Sequence, residues 1–205
     1  MAEGVFSKLH ESLQSALEEK GWTPTPVQEV TQDEITSGGD RLIVAPTGSG
    51  KTMAAMLPLL HRCLIEGWQG MSILYITPLR ALNRDVDRRL DEITNAVGLS
   101  LGLRHGDTTQ SERNKQVRKP PNVMITTPET FQIMFTGSRL RELLKSIQAV
   151  VIDELHEMAD GERGWQLSVG ISRLESFIGR EVQKIGLSAT VGNPEQVAKW
   201  LSNDA

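Results

Sequence analysis

Two short stretches carry side chains whose order is chemically useful. Residues 45–52 read Ala-Pro-Thr-Gly-Ser-Gly-Lys-Thr, and residues 153–156 read Asp-Glu-Leu-His. In the first, Gly48 and Gly50 let the backbone bend and approach a ligand closely. The turn through Thr47, Gly48, Ser49 and Gly50 would aim backbone N–H groups, with those of a following helix start, at one anion. Lys51 can reach the outer phosphates of a nucleotide, and the Thr52 hydroxyl can ligate Mg²⁺. The first position of the pattern is Ala45 instead of glycine, a departure from the strict form. The bland alternative is a glycine turn that happens to precede a lysine. Its surroundings speak against that: Leu42-Ile43-Val44-Ala45 reads as a strand before it, and Met53, Met56, Leu57, Leu60 and Leu64 as a helix after it.

The second stretch ends another apolar run, Ala149-Val150-Val151-Ile152. Two adjacent carboxylates facing a phosphate cradle can divide the work. Asp153 can hold the Mg²⁺ that Thr52 also touches, and Glu154 can orient and deprotonate a water. The alternative is an acid-rich helix N-terminus, favoured by the helix dipole. The cradle upstream favours catalysis, with Lys51, Asp153 and Glu154 as the catalytic candidates.

These residues need a scaffold that brings them to one place. Apolar runs at 42–45, 72–77, 99–104, 122–126, 148–153 and 184–188 read as strands. Helical patterns lie between them, clearest at Leu79, Leu82, Val86, Leu90, Ile93, Val97 and at Leu167, Ile171, Leu174, Ile178. Strand–helix alternation with near-continuous apolar strands predicts a mostly parallel sheet covered on both faces. Ligands then bind beyond the carboxyl ends of the strands. Phe6, Leu9, Leu13 and Leu17 predict a helix stopped by Gly21. A second helix would run from Pro26 to Gly38-Gly39, with Gln28 in its first turn. The Gln28 amide offers a donor beside an acceptor, as adenine requires, although most such residues simply meet water.

The 205 residues are 39% hydrophobic and 23% charged, which suits one globular domain. The formal charge is −4, so nucleic-acid binding would need a local basic surface. Residues 80–119 hold nine Lys or Arg against six Asp or Glu, a balance that an ordinary solvated helix face also gives. One cysteine, Cys63, sits in an apolar helical pattern and predicts core, not a disulfide or metal site. With no signal peptide or long apolar run in the sequence, a cytoplasmic chain without a membrane partner is expected.

The order of motifs resembles superfamily 2 helicases of the DExH type. The cradle at 45–52, Asp-Glu-Leu-His at 153–156 and Ser188-Ala189-Thr190 resemble their motifs I, II and III. Thr77-Pro78-Leu79-Arg80-Ala81-Leu82 resembles motif Ia. His105-Gly106-Asp107-Thr108 and Thr126-Thr127-Pro128-Glu129-Thr130 resemble later nucleic-acid motifs. Pro24-Thr25-Pro26-Val27-Gln28 resembles the adenine-reading Q motif, with one residue fewer between Gly21 and Gln28 than in DEAD-box proteins. With Gly161-Glu162-Arg163-Gly164 added, the wording is most similar to large-helicase-related proteins of archaea and bacteria, with superkiller-type helicases next.

The resemblance implies an α/β, P-loop, RecA-like three-layer domain spanning 1–205, with a helical Q-motif region over 1–40. It implies ATP and Mg²⁺ as cofactors. Thr77, Pro78 and Arg80, with backbone N–H groups of Gly106 and Thr127, would touch a single strand, DNA more than RNA. Ser188 and Thr190 would hydrogen-bond His156 and couple the two sites. Arg84 and Arg88 match no motif and read as plain surface. His105 reads either as a loop residue near a phosphate path or as a cap. After Thr190 only a capped helix over 191–205 is expected, so a second RecA-like domain, which supplies the arginine finger, would belong to a longer chain. A small-molecule P-loop kinase has no reason to carry Ser-Ala-Thr, and a vestigial binding module has none to keep Lys51 and Glu154.

Overall fold

The structure is a computed structural model that describes residues 4–78, 84–158, 162–190 and 194–202. Its centre is a sheet of six strands: β1 (Arg41–Val44), β2 (Ile73–Ile76), β3 (Leu101–Arg104), β4 (Val123–Thr126), β5 (Ala149–Ile152) and β6 (Gln183–Ser188). Their order is β1-β6-β5-β2-β4-β3. Each of the five neighbouring pairs is parallel. The six expected strands are all present, with ends that differ from expectation by one or two residues. The expected "mostly parallel" sheet is wholly parallel among the described residues.

Strands β2, β4 and β5 are buried along their whole length. Their side chains alternate between two cores, as the pleat demands. Ile73, Tyr75, Ala149 and Val151 join one core, which also holds most of helix α3 (Lys51–Ile65) and the apolar faces of α1 (Glu11–Glu19) and α4 (Arg84–Ala96). Leu74, Ile76, Val150 and Ile152 join the other, with α6 (Pro128–Met134), α7 (Ser138–Leu144), α8 (Leu155–Met158), α9 (Glu162–Ile178) and α10 (Pro194–Ser202). The remaining helices are α2 (Pro26–Thr36) and α5 (Gln110–Arg118); the latter buries none of its residues.

The N-terminal helix expected through Phe6 and Leu17 is broken. A 3-10 turn over Gly4–Lys8 precedes α1, and the His10 Nδ1 accepts the Ser12 N–H at 3.3 Å to start the helix afresh. Phe6, Leu9, Leu13 and Leu17 are still buried together. Gly21 ends α1 at φ 62, with Trp22 N–H on the Leu17 carbonyl at 3.0 Å. Residue Gln183 fastens this region to the sheet. Its Nε2 donates to the carbonyls of Ile35 and Gly39, both at 2.9 Å, while its Oε1 accepts from Arg62 at 2.6 Å. The expected start of the second helix at Pro26 holds, and its end comes at Thr36, with Gly38 in a left-handed turn. Leu79 and Leu82 lie outside the described residues, as do Arg80 and Gly161.

Candidate nucleotide site and the sheet edge around it

The sheet ladder runs one residue past its strands, and this sets the site. Ala45 N–H bonds the Ser188 carbonyl at 3.1 Å, Asp153 N–H the Ile76 carbonyl at 2.8 Å, and Thr77 N–H the Thr126 carbonyl at 3.0 Å. The first residues of three motifs are thereby held in register along one carboxyl edge.

The loop from Ala45 turns through Gly48 at φ 81 and Gly50 at φ 92, a region that glycine enters without strain. Gly50 is the residue that opens α3. A Cβ built on Gly48 would meet nothing within 4 Å, so the loop is open there. A Cβ on Gly50 would lie 3.0 Å from Thr25 Oγ1 and 3.1 Å from Gln28 Nε2, so the N-terminal region packs directly on the cradle. Lys51 is only 8% exposed, and its Nζ donates to the carbonyls of Ala45 (2.6 Å) and Pro46 (3.0 Å). The Ser49 hydroxyl is buried with no hydrogen-bond partner. Thr47 is exposed at the loop's tip.

Gln28 departs from expectation. Its Oε1 accepts the Thr25 N–H at 3.0 Å and its Nε2 donates to the Gly50 carbonyl at 3.4 Å. Both ends of the amide meet the chain's own backbone in this conformation instead of facing outward. The cause is local: Gln28 is the third residue of α2, where a long polar side chain caps the helix start.

Across from the cradle, Asp153 is hydrogen-bonded at both carboxylate oxygens. Oδ1 accepts the Glu154 N–H at 2.9 Å, and Oδ2 accepts the Tyr75 hydroxyl. Sequence reasoning missed Tyr75. It is the chain's only tyrosine, set in an aliphatic strand buried on both faces, and a buried hydroxyl needs a partner. Burial raises the Asp153 carboxyl above its ordinary value, and the hydrogen bonds from Tyr75 and Glu154, with Lys51 and His156, pull it partly back. Burial and the neighbouring Asp153 raise Glu154 likewise, opposed by His156 and Lys51. Glu154 has φ 49, the one positive value at a non-glycine residue among those described. Such a conformation costs roughly 1–2 kcal/mol and is typical of functional sites.

His156 Nδ1 lies 3.1 Å from Ser188 Oγ and 3.4 Å from Glu154 Oε2. The Ser188 hydroxyl donates its single proton to the Thr190 carbonyl at 2.7 Å. Nδ1 must therefore carry the hydrogen and donate to Ser188. This corrects the expected role of Thr190: it acts through its backbone carbonyl on Ser188, and its exposed side chain has no part in the His156 bond. Ser188 also sits opposite Val44, so the histidine is two links from the start of the cradle.

The expected strand-binding residues are less uniform. Thr77 is 2% exposed and its hydroxyl is buried without a partner. This corrects the reading of that hydroxyl as facing the strand; extending the β2 ladder turns it inward. Pro78 is half-buried, and Arg80 lies outside the described residues. Thr127 opens α6, its hydroxyl accepting the Thr130 N–H at 3.3 Å. Gly106 is exposed in a loop whose carbonyls Arg113 gathers: those of His105 (3.0 Å), Gly106 (2.9 Å) and Thr108 (2.8 Å). His105 lies in the same loop, its Nδ1 accepting the Asp107 N–H at 3.3 Å, while Thr109 is the residue that caps α5. Arg88 pairs loosely with Glu92 at 3.7 Å on the surface, as a plain surface residue would.

Comparison with known proteins places this geometry. The family model described as "DEAD/DEAH box helicase" matches residues 25–197. The chain is 41% identical over 197 residues to the "Lhr helicase/probable uracil glycosylase" of Mycolicibacterium smegmatis, covering 89% of this chain and 13% of that protein. It is 39% identical over 193 residues to the "ATP-dependent helicase Lhr-Core" of Methanothermobacter thermautotrophicus, covering 86% of this chain and 22% of that protein. The chain thus spans a small part of these curated relatives. Among solved structures, the Mycobacterium smegmatis helicase Lhr bound to ssDNA and AMP-PNP superposes with a TM-score of 0.88 at 35% identity, over 99% of this chain and 28% of that one. The DUF1998 helicase MrfA bound to DNA and AMPPNP gives a TM-score of 0.83 at 26% identity, over 99% and 29%.

Proposed function

The chain belongs to the DEAD/DEAH box helicase family, and from that premise we propose that it is the first ATP-binding motor domain of a longer helicase. In the full protein, ATP hydrolysis would drive movement along single-stranded nucleic acid, DNA in preference to RNA. The domain spans 1–205, with the helical region 1–40 as part of the nucleotide site. The observation that carries this reading is the shared edge of cradle and carboxylates: the ladder runs one residue past β1 and β5 and holds Ala45 on the Ser188 carbonyl and Asp153 on the Ile76 carbonyl.

Each residue has a distinct task. Backbone N–H groups of Thr47 to Gly50 and the start of α3 receive phosphate oxygens. Lys51 exchanges its two carbonyl partners for phosphate oxygens, a stronger charge-assisted contact. The Ser49 hydroxyl, which has no hydrogen-bond partner of its own, lies in the same loop. Mg²⁺ keeps several waters and takes few protein oxygens, so Thr52 and Asp153 fit it. When bound, it would neutralise charge on the phosphates. Glu154 orients the water and takes its proton. His156, through Ser188, reports the state of the site to the strand-binding edge. Gln28 would read adenine with the amide hydrogen and oxygen lone pair that its bonds to Thr25 and Gly50 leave over. A DNA partner is supported by the solved structures of Lhr and MrfA, each bound to DNA. No helix among the described residues is long and apolar enough to cross a membrane, and Cys63 is a free, buried thiol, in keeping with a cytoplasmic setting.

Calorimetry with Mg·ADP tests the nucleotide assignment. Binding by the wild-type chain should be lost in Lys51→Ala. Equal affinity in the two would overturn the phosphate cradle.

A further inference from the structure

The sheet has a free edge at the opposite end from β1. Strand β3 closes the order, with β4 on one side and no strand among the described residues on the other. The ladder fixes which backbone groups face out. Val123 N–H bonds the Ser100 carbonyl at 3.0 Å, so Ser100 and, by alternation, Gly102 turn their backbone toward β4. Leu101 and Leu103 therefore turn theirs outward. The Leu103 carbonyl agrees, since it accepts Gln116 Nε2 from α5 at 2.9 Å. None of the described residues pairs with the N–H or carbonyl of Leu101, or with the N–H of Leu103.

A groove of about 350 Å³ lies beside these groups, with Leu101, Gly102, Leu103, Lys115, Gln116 and Lys119 in its lining. Helix α5 buries none of its residues and leaves the groove open. Lys115 and Lys119 also line a pocket of about 260 Å³ with Arg118. All three cations are exposed, and none forms an ion pair among the described residues. The carboxylate of the groove, Glu112, is occupied in accepting the Thr109 N–H and hydroxyl. The two faces of β3 differ. Leu101 and Leu103 pack against the core that holds α4. A Cβ on Gly102 would instead lie 2.7 Å from Pro121 Cγ and 3.6 Å from Gln116 Nε2, on the α5 side. A strand added here sets alternate side chains beside Leu101 and Leu103, and the others toward Lys115 and Lys119.

We propose that the β3 edge is a docking site for an extended peptide of alternating apolar and acidic residues, which joins the sheet as an added strand. Its backbone pairs with the N–H and carbonyl of Leu101 and accepts the Leu103 N–H. Its apolar side chains extend the face of Leu101 and Leu103, and its carboxylates meet Lys115 and Lys119. The phosphates of a nucleic-acid strand could answer the lysines, but they hold no donor for the Leu101 carbonyl. The ordinary alternative is a short edge strand beside lysines that answer only the negative end of α5. That alternative predicts no new hydrogen bond at Leu101.

The probe is a capped synthetic peptide of alternating Val and Glu, added to the isotope-labelled chain. Amide hydrogen exchange is followed at Leu101, Gly102 and Leu103. In the free chain Leu101 and Leu103 should exchange fast. The peptide should slow both, while Gly102, already in the ladder, changes little. Lys115→Glu with Lys119→Glu should weaken binding by about 10-fold or more, and this variant should take a peptide of alternating Val and Lys instead. Both substitutions fall at exposed positions, and a thermal melt checks that the fold is kept. No slowing at Leu101 at the highest soluble peptide concentration overturns the proposal. So does binding that leaves Leu101 and Leu103 unchanged, which would be charge attraction alone. Slowing of these amides by a single-stranded oligonucleotide but not by the peptide would make the edge a nucleic-acid surface, and slowing by chain concentration alone would make it a contact between copies; either result overturns the proposal.

Discussion

At the scale of single residues, the site depends on two carboxylates with different surroundings. Asp153 accepts a hydrogen bond at each oxygen, while Glu154 is half-buried and strained, with Oε2 3.4 Å from His156 Nδ1. Glu154 also has its affinity for a proton raised by burial and by Asp153. A base must be deprotonated to work. A raised value means that the proton is lost at higher pH, so the acid limb of hydrolysis should lie above the ordinary glutamate value of 4.5. Glu154→Gln keeps the size and removes the base. In the full-length helicase it should leave ATP binding intact and lower turnover by about 10²–10⁴-fold. Steady-state phosphate release against pH measures both, and an acid limb surviving in the mutant would assign it to another group. Much of this was legible in sequence, because Lys51, Thr52, Asp153 and Glu154 lie in contiguous motifs whose backbone fixes them. Tyr75 was not, since its role depends on which strand pairs with β2. Gln28 and Thr190 were placed by motif, but their bonds follow from helix capping and from a backbone carbonyl, which residue type does not disclose.

Elements hold these residues in place through few but costly contacts. Lys184 on β6 is nearly buried, with its Nζ 3.0 Å from Glu175 on α9 and 3.3 Å from Asp40 before β1. It joins the strand that ends in Ser188 to α9 and to the loop that enters β1. Removing one partner of a buried ion pair leaves an uncompensated charge, at about 3–5 kcal/mol. Since the Asp40 side chain is 30% exposed, Lys184→Ala should fall near the lower end, about 3 kcal/mol by urea denaturation. A loss under about 1 kcal/mol would show that the cluster behaves as a surface pair. All six strands were legible: β2, β4 and β5 as short apolar runs buried throughout, and β1, β3 and β6 as apolar runs alternating with helical patterns. The broken N-terminal helix was not. Phe6, Leu9, Leu13 and Leu17 keep helical spacing across the break, so the apolar pattern alone cannot show where His10 restarts the turn.

At the scale of the whole molecule, every catalytic candidate lies on one carboxyl edge of one parallel sheet, open to a partner. Lys51 rests on its own loop, and the described residues bring no arginine to the Glu154 side chain within ion-pair distance. The central claim is that this is half of a motor, whose second domain completes the site. The most direct test is steady-state phosphate release by this chain alone and by the chain joined to the segment that follows it in the full-length helicase, each with and without single-stranded DNA or RNA. An arginine finger in related chemistry contributes on the order of 10³–10⁵. The account predicts very slow release by this chain, with or without a strand, and fast, strand-stimulated release by the joined protein. Fast release by this chain alone, indifferent to any strand, would contradict it.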